Sequence, residues 1–127
     1  MNRIVENTYL YHVTSSDNLA EILKNGFTPR KIAGYFGEGG VFTCLTSAKH
    51  IQSYLDTQRT QILQISINSF NVNHFCADIT HTMYIGLKDS YSSEKLIELM
   101  FQEYGTVGYS ESIEAENIRL IELKDVV

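Results

Sequence analysis

Residues 9 to 27 constrain the fold of this chain more than any other stretch. The segment 8–13 is rich in aromatic and β-branched residues and predicts a short strand. Its alternation sets Tyr9, Tyr11 and Val13 on one face and Leu10 and His12 on the other. Thr14, Ser15 and Ser16 then offer N-capping side chains. Residues 17–25 carry Leu19, Ile22 and Leu23 at i, i+3, i+4 spacing, so an amphipathic helix is expected, stopped by Gly26. Phe27 is expected to pack back onto that helix. A strand that hands over directly to a helix start puts an imidazole and backbone N–H groups on one rim of a sheet. Such donors suit ribose hydroxyls or phosphate. On spacing alone, His12 reads better as an ordinary hydrogen-bonded strand histidine.

The remaining pattern interleaves strands and helices. Residues 28–40 contain Pro29, Gly34, Gly37, Gly39 and Gly40 without periodicity, which predicts a loop. A strand is expected over 41–45, then a helix over 48–55, capped by Thr46 or Ser47. Residues 61–67 alternate, with Leu63, Ile65 and Ile67 inward and Gln64 and Ser66 outward. The stretch 68–78 is ambiguous, with strand character around 70–75. Ser92 and Ser93 open a helix over 94–104 with Leu96, Ile97, Met100, Phe101 and Tyr104 on its apolar face, ended by Gly105. Strands follow over 106–110 and 117–123. Antiparallel-compatible pairs near the end favour an α+β class over a doubly wound parallel sheet. With no linker-like stretch in 127 residues, a single domain over 1–127 is expected.

Charge narrows the function classes. Fifteen acidic against ten basic residues give a net charge of −5, which argues against an extended nucleic-acid surface. Arg3, Lys24, Arg30, Lys31 and Lys49 remain available to surround a phosphorylated ligand. Cys44 and Cys76 form no spaced pair with each other or with histidines, so two buried, reduced thiols are expected and no metal. His74, Asp78 and His81 lack a regular ligand spacing and read as surface or loop residues. Cys44 with His50 lacks an orienting acid and reads as a buried thiol rather than a nucleophile. No apolar run approaches membrane-spanning length, so a cytoplasmic protein without membrane partners is expected.

The run Leu10-Tyr11-His12-Val13-Thr14, followed by Asn18-Leu19, Ile22-Leu23 and Gly26-Phe27, resembles the first motif of the ADP-ribosyltransferase superfamily. The likeness is to its histidine-containing branch of poly-ADP-ribose polymerases, bacterial DNA-modifying toxins and RNA 2′-phosphotransferases. The resemblance implies a compact split-sheet ADP-ribosyltransferase-like fold and NAD as co-substrate. It also implies that His12 holds an NAD ribose hydroxyl and that the main chain at Val13 and Thr14 grips the carboxamide. The family often has a small residue where Val13 stands.

Gly39-Gly40-Val41-Phe42-Thr43 with Ser47-Ala48-Lys49-His50-Ile51-Gln52-Ser53-Tyr54 is similar to the family's second motif. There, two aromatic rings sandwich the nicotinamide, which implies that role for Phe42 and Tyr54, and a hydrogen bond from Ser47. Phe42 stands where tyrosine is usual. The third motif supplies a carboxylate just before or at the start of a late strand, where it polarises the ribose and stabilises an oxocarbenium-like transition state. Glu103, in a Gln-Glu-Tyr run, is preferred for that role over Glu111 at the strand's other end.

The implied activity is mono-ADP-ribosyl transfer from NAD to a protein acceptor with release of nicotinamide, in the manner of small toxins or phage counter-defence effectors. Two alternatives stay open. One is an RNA 2′-phosphotransferase-like or nucleic-acid-modifying enzyme, for which the arginines are scattered. The other is an inactive NAD- or ADP-ribose-binding module.

Overall fold

The computed structural model of the chain describes residues 2–28, 43–55 and 60–126. Within them the chain is α+β. The elements are α1 (Asn2–Val5), β1 (Tyr9–Ser15), α2 (Ser16–Asn25), β2 (Thr43–Thr46), β3 (Thr60–Ser66), β4 (Phe75–Cys76), α3 (Tyr84–Leu87), α4 (Ser93–Tyr104), β5 (Thr106–Tyr109) and β6 (Ile118–Ile121). The strands pair in the order β4-β5-β2-β1-β3-β6, every pair antiparallel. Phe42 and residues 29–40, expected to form an aromatic wall and a loop, lie outside the described residues. So does the start of the strand expected over 41–45.

The first strand and helix form where the sequence pattern puts them. Ser15 adopts the extended backbone of an N-cap, although its side chain makes no cap hydrogen bond. Gly26 ends α2 at φ 76°, and its N–H donates to the Ile22 carbonyl at 2.8 Å. Only glycine takes that conformation without strain. Phe27 then forms an isolated bridge with Ile113 and enters the core with 8% exposure. Leu19 and Ile22 pack partly against that core, while Leu23 stays 37% exposed.

The main core fills the sheet face that carries Leu10, Leu45, Leu63, Ile65 and Val107, closed over by Ile97 and Phe101 of α4. Phe70, Phe75 and Tyr109 cap one end, with the Phe70 and Tyr109 rings edge-to-face at 5.0 Å. Tyr9 and Val13 partly cover a second, smaller cluster of Tyr11, Ile51, Ile62 and Ile121 on the opposite face. That cluster corrects one expectation. Gln64, expected to point outward to solvent, is buried, because its face of the sheet is covered too.

Two segments depart from their expected form. Residues Ala48–Tyr54 form a 3-10 helix rather than an α-helix. Ile51 is the sole buried residue of that run, so no long apolar stripe stabilises an α-helical period there. The ambiguous stretch resolves into 3-10 turns at Ile67–Ser69 and Val72–His74, followed by the two-residue β4. The α4 helix follows its periodicity: Leu96, Ile97, Met100 and Phe101 are buried, Ser92 caps it by accepting from the Lys95 N–H, and Gly105 closes it at φ 68°. No helix among the described residues is long and apolar enough to cross a membrane.

Candidate functional site

The sheet is nearly divided between β1 and β2. Among the described residues, β1 pairs with β3 over seven residue pairs, from Tyr9↔Ser66 to Ser15↔Thr60, but meets β2 only at Tyr11↔Thr46. Beyond that pair a side chain bridges the gap: His12 Nδ1 lies 2.9 Å from the Cys44 carbonyl oxygen. A carbonyl only accepts, so Nδ1 carries the proton and donates. The ring is further fixed edge-on against Phe27, with centroids 4.8 Å apart. His12 is therefore both an ordinary hydrogen-bonded strand histidine and the residue that ties the two halves of the sheet together.

A cavity of about 130 Å³ opens along this seam, lined by Tyr11, His12, Val13, Cys44, Leu45, Thr46, Tyr54 and Thr106. Ligand pockets that hold a whole drug-sized molecule run to roughly 300–1,000 Å³. This cavity suits a single planar ring. The 3-10 helix after β2 delivers Tyr54, whose hydroxyl donates to the Tyr104 carbonyl at 2.5 Å and so anchors the ring to the end of α4. Burial pushes the Tyr54 hydroxyl above its usual value; the Thr106 hydroxyl opposes the shift and the Asp78 carboxylate adds to it.

Asp78 is the centre of the polar network behind this wall; it lies in a loop, one of the two expected settings, but is buried rather than on the surface. Only 4% of it is exposed. Its carboxylate accepts four hydrogen bonds. Three reach Oδ1, from the Cys44 thiol at 3.1 Å, the Thr80 N–H at 3.0 Å and the Thr80 hydroxyl at 2.5 Å. The fourth reaches Oδ2, from the Thr106 hydroxyl at 2.6 Å. Burial and this carboxylate together push the Cys44 thiol well up, which keeps it protonated and unreactive. Burial raises the Cys76 thiol as well, to about 12, again with Asp78 contributing.

The structure thus brings His12, Val13 and Tyr54 to one cavity, from two separate sequence stretches. Thr14 and Ser47 are buried beside it without lining it; Ser47 Oγ lies 3.1 Å from His50 Nδ1. Neither candidate acid lies on its wall. Glu103 is an exposed residue in the last turn of α4. Glu111 is exposed beyond the far end of β5, with Oε1 3.6 Å from His74 Nδ1. The start of β5, where the family resemblance expects a carboxylate, holds Thr106. His81 stacks on Tyr104 with centroids 5.1 Å apart, and among the described residues no three His, Cys, Asp or Glu side chains gather as a metal-binding group.

Thr46 and Thr106 carried no functional signal in the sequence, while Cys44 and Asp78 stood there only as a thiol near His50 and as a member of an irregular His/Asp set. No family model, no curated protein and no solved structure matches the chain.

Proposed function

We propose that this chain binds NAD with its nicotinamide end in the seam cavity and acts as a mono-ADP-ribosyltransferase on a protein acceptor. The observation that carries the reading is the convergence of His12, Val13 and Tyr54 on one ring-sized cavity. The near-division of the sheet between β1 and β2 supports a split-sheet, ADP-ribosyltransferase-like fold. A ring held between aromatic side chains gains stacking as well as burial. The net acidic charge favours a protein acceptor over nucleic acid.

NAD supplies an ADP-ribosyl group on a labile glycosidic bond, whose electron pair leaves with nicotinamide as the acceptor joins the ribose and loses a proton. The chain's own contribution in this reading is orientation. His12, fixed by Cys44 and Phe27, addresses the ribose, while Tyr54 and the main chain at Val13 frame the ring. Adding biotin-labelled NAD to a lysate containing the chain tests this. Label on a protein, lost with His12→Ala, is the expected result; absence of any labelled protein contradicts transfer.

A second reading is favoured by one observation: Glu103 and Glu111 are both exposed and off the cavity. In that reading the chain is an NAD- or ADP-ribose-binding module without transfer. Saturable NAD binding with no release of nicotinamide supports it. Wild-type turnover lost on Glu103→Ala or Glu111→Ala, with folding intact, contradicts it.

A further inference from the structure

The cavity wall has an unusual hydrogen-bonding polarity, and its cause is Asp78. A hydroxyl offers one proton and two lone pairs. The Thr106 hydroxyl donates to Asp78 Oδ2 while also lying in hydrogen-bond contact with the Tyr54 oxygen, and the Tyr54 proton goes to the Tyr104 carbonyl. The Cys44 thiol proton is likewise committed, to Asp78 Oδ1. Three side chains that line the cavity therefore turn their donors away from it. What they can turn toward a ligand is lone pairs. Behind two of them sits a buried carboxylate.

We propose that Asp78 is a positioning residue that sets the specificity of the cavity. By drawing in the protons of Thr106 and Cys44 beside a buried negative charge, it makes a site for a donor-bearing, uncharged or cationic ring. Such a site rejects an anionic ring of the same shape. This inference rests on the proposed NAD site and deepens it. Nicotinamide offers amide protons, and in NAD its ring is cationic. Its near-isostere nicotinate replaces that amide with a carboxylate, which has no proton to give and repels the buried charge. Of the two, the cavity takes the carboxamide. Burial is the main cause of the raised Tyr54 and Cys44 values, and the Asp78 carboxylate adds to both.

Calorimetric titration of the intact chain with NAD and with its nicotinic acid analogue tests this, since the two dinucleotides differ only at the ring substituent. The wild type is expected to bind NAD more than about tenfold tighter, because like-charge juxtaposition at a buried site is costly. Asp78→Asn keeps the side chain's shape and removes the charge, and is expected to cut that ratio severalfold. An unchanged ratio in a folded Asp78→Asn protein overturns the proposal. So does equal binding of both dinucleotides by the wild type, which needs no variant and leaves the NAD site standing. Binding of neither dinucleotide by the wild type removes the NAD reading itself. Should Asp78→Asn fail to fold, Thr106→Val provides the second variant: it deletes the wall acceptor and is expected to weaken NAD while leaving the analogue's affinity unchanged. Equal weakening of both overturns the acceptor-wall account.

Discussion

Asp78 and His12 carry the most consequence per atom. Replacing Asp78 by alanine leaves the Thr106 hydroxyl without its carboxylate acceptor in the protein interior, at a cost of roughly 1–3 kcal/mol, and removes the acceptor of the part-buried Cys44 and Thr80 donors. A loss of at least about 2 kcal/mol in denaturant-unfolding stability is expected for Asp78→Ala. Stability within about 0.5 kcal/mol of the wild type would show that water replaces the carboxylate freely. The cysteines give a pH signature. Cys76 titrates near 9.0 in the unfolded chain and near 12 when folded, so the folded state holds its proton more tightly. Its contribution is therefore fully present below about pH 9 and is lost as pH rises toward about 12. Stability measured at pH 8 and pH 10.5 is expected to fall more steeply in the wild type than in Cys76→Ala. Parallel falls would contradict a half-buried, protonated thiol. These residues were the least legible in the sequence. Asp78 meets Cys44 and Thr106 only because β4, β5 and β2 pair, bringing together positions 34 and 28 residues apart. No local pattern encodes such a contact.

The elements were far more legible, and for a physical reason. Where one face of a segment is buried, periodicity records it. Residues 94–104 show i, i+3, i+4 apolar spacing and form α4; the alternation over 61–67 marks β3, Thr60–Ser66, but not that its second face is covered as well. The 3-10 helix at Ala48–Tyr54 departs from the expected α-helix because a short run with a single buried residue fits either period. The two glycine stops follow from backbone conformation. At Gly105, with φ 68°, a Cβ would also collide with the His50 side chain. Gly105→Ala is expected to cost more than about 1 kcal/mol, combining the left-handed backbone penalty with that clash. The same change presses on the turn that carries Tyr54, so ligand affinity is expected to fall with it. Thermal denaturation checks the first effect and titration the second. Ser92→Ala removes the α4 N-cap at the opposite end and is expected to cost about 1 kcal/mol with no effect on ligand binding. A loss of affinity from Ser92→Ala would point to global loosening instead.

On the scale of the whole molecule, the defining feature is a sheet joined weakly at its centre. Among the described residues, seven residue pairs join β1 to β3, whereas a single pair joins β1 to β2, with the His12 side chain bridging beside it. Main-chain carbonyls and polar side chains therefore meet at a concave seam instead of being consumed by a continuous ladder, and the ring-sized cavity follows from that. The α+β class was readable from the mixed order of strands and helices. The seam was not, because it depends on where pairing stops, a property of two strands about thirty residues apart. His12 and Tyr54 were legible as candidates through their order in the chain, while Phe42 lies outside the described residues. The central claim is that the seam binds NAD through His12. Calorimetric titration of NAD into the purified chain and into His12→Ala measures that directly. Saturable one-site binding by the wild type, weakened at least about tenfold in a folded His12→Ala protein, is the result predicted from loss of a buried, oriented contact. No saturable binding by the wild type, or equal affinity in both proteins, would contradict it.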